Sequence, residues 1–211
     1  MKKFELTNDT KIVFGKKLFR IKALISFGNV EAGELGGYVE KEENLSHNDN
    51  AWIYGNAMVY GNARVYGNAE VYGNAEVYDN AWIYGNAMVY GNARVYGNAR
   101  VYGNAEVYGN AMVYGNADVY GNAEVYDNAE VYDNDDYTCI KGFGIEYRNT
   151  TFYRQKDGSI GVKCGCFSGT LEEFREQVKN TREGKIAKEY LMIADLMEYH
   201  FEKEEGKGDN E

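Results

Sequence analysis

The chain has 211 residues, 33 acidic against 23 basic side chains, a net charge of −10, no proline and 20 tyrosines. That length suits one or two domains. The excess of acid excludes non-specific attraction to a nucleic-acid backbone, which needs a basic face. Only three cysteines are present, the lysines at 2 and 3 lead into no apolar stretch, and no apolar run is long enough to cross a bilayer. Those features predict a cytoplasmic protein with reduced thiols and no membrane partner.

Residues 1–34 read as a small β element. Residues 11–14 and 18–24 alternate apolar and polar around Gly15, Lys16 and Lys17, which is a hairpin signal. Behind them the chain becomes periodic, and a periodic solenoid needs its open end covered, so this segment is predicted to be an N-terminal cap.

From residue 50 to residue 133 the chain repeats Asn-Ala-x-Val-Tyr-Gly without an insertion or deletion. Ile replaces Val at Ile53 and Ile83, and Asp replaces Gly at Asp79, Asp127 and Asp133. A period of six cannot keep one face of a helix apolar, and Val, Tyr, Gly and Asn are poor helix formers. A strand places residues i and i+2 on one face, so Ala51 and Ile53 point inward while Trp52 and Tyr54 point outward. Gly55 and Asn56 tolerate positive φ and make the corner. One such hexad buries too little to fold alone. Stacking supplies both the missing core and the partners for each backbone N–H and C=O.

This pattern resembles the hexapeptide-repeat family. The resemblance implies a left-handed parallel β-helix in which three hexads make one triangular coil, and it implies a homo-oligomer, with a trimer favoured. Residues three hexads apart then stack. One column is Trp52, Glu70, Met88, Glu106 and Glu124, a second is Met58, Glu76, Arg94, Met112 and Glu130, and a third is Arg64, Trp82, Arg100 and Asp118. Each face also carries a tyrosine column, predicted to be exposed aromatic surface suited to self-association. Trp82 between Arg64 and Arg100 is within reach of cation–π stacking and forms a candidate binding surface. Upstream, Val39 and Leu45 fall in the register of Ala51, so the solenoid is predicted to span residues 35–134. The lead-in Gly33-Glu34-Leu35-Gly36-Gly37-Tyr38-Val39 resembles small proteins of phages and prophages.

The pattern ends at Asp135, and residues 135–211 are predicted to be an α+β module. Residues 150–155 and 159–164 read as strands joined through Lys156, Asp157 and Gly158. Thr170 and Glu173 form a capping box that opens a helix with Leu171, Phe174 and Val178 as its apolar stripe. A second helix over residues 186–201 buries Ile186, Tyr190, Ile193, Ala194, Met197 and Phe201. Residues 202–211 are charged and read as a frayed end. The predicted fold class is therefore mainly β, a solenoid with a β cap and a module of one hairpin and two helices.

Candidate chemistry is sparse. Enzymes of the hexapeptide-repeat type are acyltransferases with a histidine base, and His47, in the valine register, is the residue that could serve. Cys164 and Cys166, with Cys139, are too few and too closely spaced for structural zinc and read as buried thiols; no metal and no cofactor are expected. Arg148, Tyr153, Arg154 and Lys163 lie on or beside the predicted hairpin and form the candidate site for an anion or a partner protein. The leading functional expectation is a non-catalytic binding or scaffold protein of phage or prophage type, capturing a host protein or a small anionic signal in host takeover or counter-defence. The alternatives are an acidic mimic of nucleic acid and an acyltransferase using His47.

Overall fold

The computed structural model describes residues 2–144 and 147–202. Two N-terminal strands, β1 (Phe4–Val13) and β2 (Lys16–Ala23), form an antiparallel hairpin that turns on Phe14 and Gly15, both with positive φ. Strand β3 (Leu35–Val39) pairs antiparallel with β2 on one side. On its other side it pairs parallel with the solenoid, Val39 opposite Val59. Fourteen two-residue strands follow at six-residue intervals, from β4 (Trp52–Ile53) to β17 (Glu130–Val131). They stack as three parallel faces with a rise of three hexads per coil, giving a β-solenoid of about five turns. Arg94 pairs with both Glu76 and Met112, and Arg100 with both Trp82 and Asp118, as the column arithmetic requires.

Inside the prism the repeat alanines and valines are fully buried from Ala51 to Val131. The corner glycines carry positive φ, and the left-handed region is shared by Asp79 and Asp127, whereas the corner asparagines stay at negative φ. Asp133 departs from its register-mates: at φ −135° it caps a short 3₁₀ turn, Asn134–Asp136, that ends the solenoid. Most of the asparagines form ladders instead, the side-chain amide donating to the amide oxygen of the asparagine one coil on, as Asn68 Nδ2 does to Asn86 Oδ1 at 3.0 Å.

Four expectations are corrected. Val39 and Leu45 are buried, but they occupy the valine register, opposite Val59 and Val65, and not that of Ala51. Two extra residues between Leu45 and Ile53 shift the count, and they bulge out at the first corner, where His47 lies. Trp52 points away from the prism axis but not into solvent, because Phe4 and Phe27 pack edge-on against its ring and leave it 0% exposed. The tyrosine columns are not open aromatic surface. Rings such as Tyr84 and Tyr102 stack face to face at 4.8 Å, and most of the column is half-buried by its own neighbours; Tyr120 and Tyr132, in the last coil, are exposed. Cys166 is exposed and Cys139 and Cys164 are partly so, rather than buried.

In a parallel ladder successive residues bond to opposite neighbours, so each end of the stack leaves both N–H and C=O groups without a coil partner. The caps supply both donors and acceptors, and Glu40 Oε2 and Asp49 Oδ2 accept from the N–H groups of Gly61 and Gly67 at the first coil. At the first coil Lys3 Nζ donates to the carbonyls of Asp49 and Ala51, both at 2.8 Å, and Asn44 Nδ2 donates to those of Gly61 and Ala63. At the last coil Asn134 Oδ1 takes Asp118 N–H, Tyr137 Oη takes Tyr120 N–H and Thr151 Oγ1 takes Glu124 N–H, while Tyr137 Oη donates to the Asp118 carbonyl and Lys156 N–H to that of Asn128. Gly37 belongs to the N-terminal closure, because a Cβ there would strike the Ala57 carbonyl and the Ile53 side chain.

The C-terminal module is a four-stranded antiparallel sheet, β18 (Tyr137–Phe143), β19 (Arg148–Arg154), β20 (Ile160–Cys164) and β21 (Phe167–Thr170), followed by α1 (Leu171–Thr181) and α2 (Gly184–Phe201). The sheet's two faces have separate cores. Tyr137 and Tyr153 close the end of the prism, while Phe152 and Val162 pack under the helices. Strands β18 and β21 lie beyond the predicted hairpin. The capping box forms as expected, with Thr170 N–H donating to Glu173 Oε2 and Glu173 N–H to Thr170 Oγ1.

Candidate functional site

Strand alternation separates the four predicted site residues. On β19, Thr151 and Tyr153 face the solenoid, and Arg148, Thr150, Phe152 and Arg154 face the helices. Tyr153 is 1% exposed in the seam with the prism and is unavailable to a ligand. Arg154 is held by Asp136 Oδ1 at 2.9 Å, donates to the Phe201 carbonyl at 2.7 Å and lies over the Phe201 ring, so it fastens the end of α2. Lys163 donates to the Gly165 carbonyl at 2.8 Å and faces Glu124 of the last coil at 3.8 Å, which makes it part of the seam. Arg154 also lines an open groove beside the last coil, whereas Arg148 reaches a smaller cavity between the sheet and the helices.

That cavity, of about 180 Å³, lies where the ends of β19 and β20 meet the two helices. Its floor is aromatic. The Phe174 ring packs against Phe167 at 5.5 Å and edge-on against Tyr190 at 5.7 Å, with Val178 beside them. Its polar rim is formed by Arg148, Arg182, Gln177, Thr181 and the thiols of Cys164 and Cys166. Local sequence explains the placement. The turn at Gly165 and Cys166 joins β20 to β21, Gly165 takes φ +58°, and a Cβ there would collide with the Arg148 guanidinium. Arg182 comes from the break between the helices, where its N–H caps the Val178 carbonyl. Thr150 Oγ1 donates to Cys164 Sγ at 3.1 Å, and Tyr190 Oη donates to the Phe143 carbonyl at 3.3 Å. Burial raises the Tyr190 phenol pKa, keeping it a neutral hydrogen-bonding group at the cavity wall. Two guanidiniums above an apolar floor suit an anion with an attached ring or short chain. The sequence reading missed Arg182, Tyr190 and Phe174 as cavity residues, since Tyr190 and Phe174 carried other roles there, as helix core and helix stripe.

The other candidates have other partners. His47 stacks on Phe4 at 4.2 Å, its Nδ1 accepts the Lys3 N–H at 3.2 Å and its Nε2 lies 3.5 Å from Glu42. It is a joint of the N-terminal cap. Arg64 and Trp82 share a shallow groove of about 440 Å³ with Glu43 and Asp49, which counters any cationic character there. Trp82 meets Tyr66 edge-on at 6.3 Å, and Arg100 is committed to Asp118 through two contacts of 2.6 Å, so the expected arginine–tryptophan sandwich gives way to an ion pair. Among the described residues no three His, Cys, Asp or Glu side chains converge as metal ligands, and no helix is long and apolar enough to cross a membrane.

Comparison with known families finds one likeness. Residues 51–67, 59–73, 81–95, 93–107 and 105–121 match the YdcK Beta solenoid repeat. The repeats are thus those of a β-solenoid. The YdcK-like stretches all fall within the prism, on strands β4–β7 and β9–β15, and leave the caps and the cavity outside them. No curated protein matches the chain.

Proposed function

We propose that the protein is a non-catalytic binding and scaffold protein, in which the solenoid is a rigid spacer and the C-terminal module captures a small anionic ligand. The observation that supports this reading is the cavity in which Arg148 and Arg182 stand over the Phe167–Phe174–Tyr190 floor. Its volume of about 180 Å³ is close to that of an apolar cavity of ~150 Å³ that accepts benzene, so the part of the ligand that enters is one ring or a short chain. The prism offers less to a specific ligand. Its side chains are near-copies, and Trp52, Met58 and Arg64 recur as Trp82, Met88 and Arg94 on different faces. The setting we propose, from the resemblance of the lead-in to phage and prophage proteins, is host takeover or counter-defence, with the captured anion or a host protein carrying it as the target.

Titration calorimetry with a panel of aryl and short-chain carboxylates and phosphates tests the site. The double substitution Arg148→Ala and Arg182→Ala should weaken the best binder by more than about tenfold, or about 1.4 kcal/mol. Deletion of residues 62–79, one coil, should leave that affinity unchanged. Equal loss from both changes, or binding indifferent to the two arginines, would move the site elsewhere.

A further inference from the structure

Helix α2 carries apolar side chains on two opposite faces. Tyr190, Ile193, Ala194, Met197 and Phe201 face the sheet and are buried. Met192, Leu196 and Tyr199, spaced by four and three residues, form a second stripe that is 61%, 57% and 74% exposed. At 3.6 residues per turn the second stripe lies diametrically across from the first. A globular helix needs one apolar face, so the outer stripe requires an occupant. Residues 203–211 include no apolar side chain.

The charges beside the stripe indicate what does. On one flank lie Lys188, Asp195 and Glu202, basic early and acidic late. When two identical helices pack antiparallel about a two-fold axis, each flank meets its own copy in reverse order. Lys188 and Glu202 stand equally far in sequence from Asp195, at the middle of the stripe. An axis through that point sets Lys188 level with the partner subunit's Glu202, twice over. Met192 then lies within one residue of level with the partner subunit's Tyr199, and the two copies of Leu196 flank the axis. Asp195 falls next to its copy, but Arg175 of its own chain already compensates it, Nη2 to Oδ1 at 3.0 Å.

We propose that this outer face of α2 is a homodimer interface, in which two copies pair antiparallel through Met192, Leu196 and Tyr199 and are held in register by Lys188 and Glu202. It joins the chains at their C-terminal modules and leaves the prism faces free. It is independent of the anion reading, since none of these five residues lines that cavity. A single helix face buries less than the ~1,200 Å² of a standard interface, so the association is weak and concentration-dependent.

Sedimentation equilibrium of the full chain from about 1 to about 300 µM tests it. The expected result is a reversible monomer–dimer equilibrium. Leu196→Glu should raise the dissociation constant at least tenfold with an unchanged circular-dichroism melt, because the position is exposed. Lys188→Glu should weaken it similarly, and adding Glu202→Lys to that variant should restore it. A monomer throughout, a trimer, or self-association indifferent to Leu196→Glu would overturn the proposal. Failure of the charge swap to restore pairing would overturn the antiparallel register.

Discussion

The phenol of Tyr90 donates a hydrogen bond of 2.8 Å to Glu106 Oε2, a residue of the following coil at the variable position of its hexad. The same offset recurs. Tyr60 reaches Glu76 at 3.1 Å, Tyr108 reaches Glu124 at 3.1 Å and Tyr114 reaches Glu130 at 2.7 Å, while Tyr72 meets Met88 Sδ at 3.9 Å and Tyr66 meets Trp82 edge-on. The variable residue is therefore read by the tyrosine of the preceding coil. Glutamate is the choice that converts a stacked phenol into a hydrogen-bonded one.

Tyr90→Phe should then cost about 1 kcal/mol in urea unfolding, the ordinary net worth of such a bond. Tyr72→Phe, which gives up only a weak thioether contact, should cost no more than a few tenths of that. Equal costs at both positions would show that ring stacking, and not the carboxylate, carries the energy.

The ladders also set the response to alkali. Burial, followed by the neighbouring Glu70, pushes the Tyr54 phenol up to about 12, and burial pushes Tyr78 up to about 12 as well; Tyr60, Tyr90, Tyr108 and Tyr114 shift the same way. Above pH ~10 the unfolded chain loses phenolic protons that the folded chain keeps, so stability falls as pH rises. Lys3 acts oppositely. Its burial lowers its pKa to about 8, so between about 8 and 10.5 the unfolded chain holds the extra proton and this one group adds stability as pH rises. Phenolate absorbance near 295 nm should therefore rise late and together with loss of the β signal. Ionisation of most tyrosines near pH 10 in an intact fold would contradict this.

At the corners, Gly85 sits at φ +71°, and a Cβ there would come within 2.9 Å of the Gly103 nitrogen. Gly85→Ala should lose at least ~1–2 kcal/mol, the cost of the left-handed conformation alone. Asp79, at φ 57° in the same register, already bears that strain, so Asp79→Gly should raise the melting temperature. Thermal melts of both variants decide it.

Ala93 is fully buried on the prism axis side, where nothing can pair a charge. Ala93→Glu should abolish folding, since an unpaired carboxylate there costs several kcal/mol. Deleting residues 62–79 should instead leave a folded protein, because the stacking register is kept and Tyr60 then stacks on Tyr96 in place of Tyr78, although it exchanges Glu76 for Arg94. A soluble, β-rich Ala93→Glu protein with an unchanged melt would refute the packing described above.

Much of this was readable from period alone. A fixed six-residue spacing determines which residues stack, so the columns through Glu76 and Arg94, and through Arg100 and Asp118, followed from counting. Counting failed where the period did: the two-residue excess after Leu45 changed the register of Val39 and removed His47 from its expected place. It also failed for exposure. Trp52 and Tyr84 occupy outward positions, yet one is covered by Phe4 and Phe27 and the other by Tyr66 and Tyr102, and neither cover is local in sequence. The cavity was half legible. Arg148 was marked by its charge beside a hairpin, but β18, as long as β19, and the four-residue β21 were not read as strands, and without them the opposed faces that separate Arg148 from Tyr153 and Lys163 could not be assigned.

The hexad is one third of a coil, and all three faces of the prism accept the same hexad. Gaining or losing one hexad would therefore do more than change length. It would swing everything downstream by about 120° around the axis while advancing it by only ~1.6 Å, a third of the strand spacing. The N-terminal hairpin is anchored to one face through β3, so repeat number sets the compass bearing of the cavity and of α2 relative to that hairpin. Copy-number variation in such a chain works as an angular adjustment, with three settings per turn, between the two ends of the molecule.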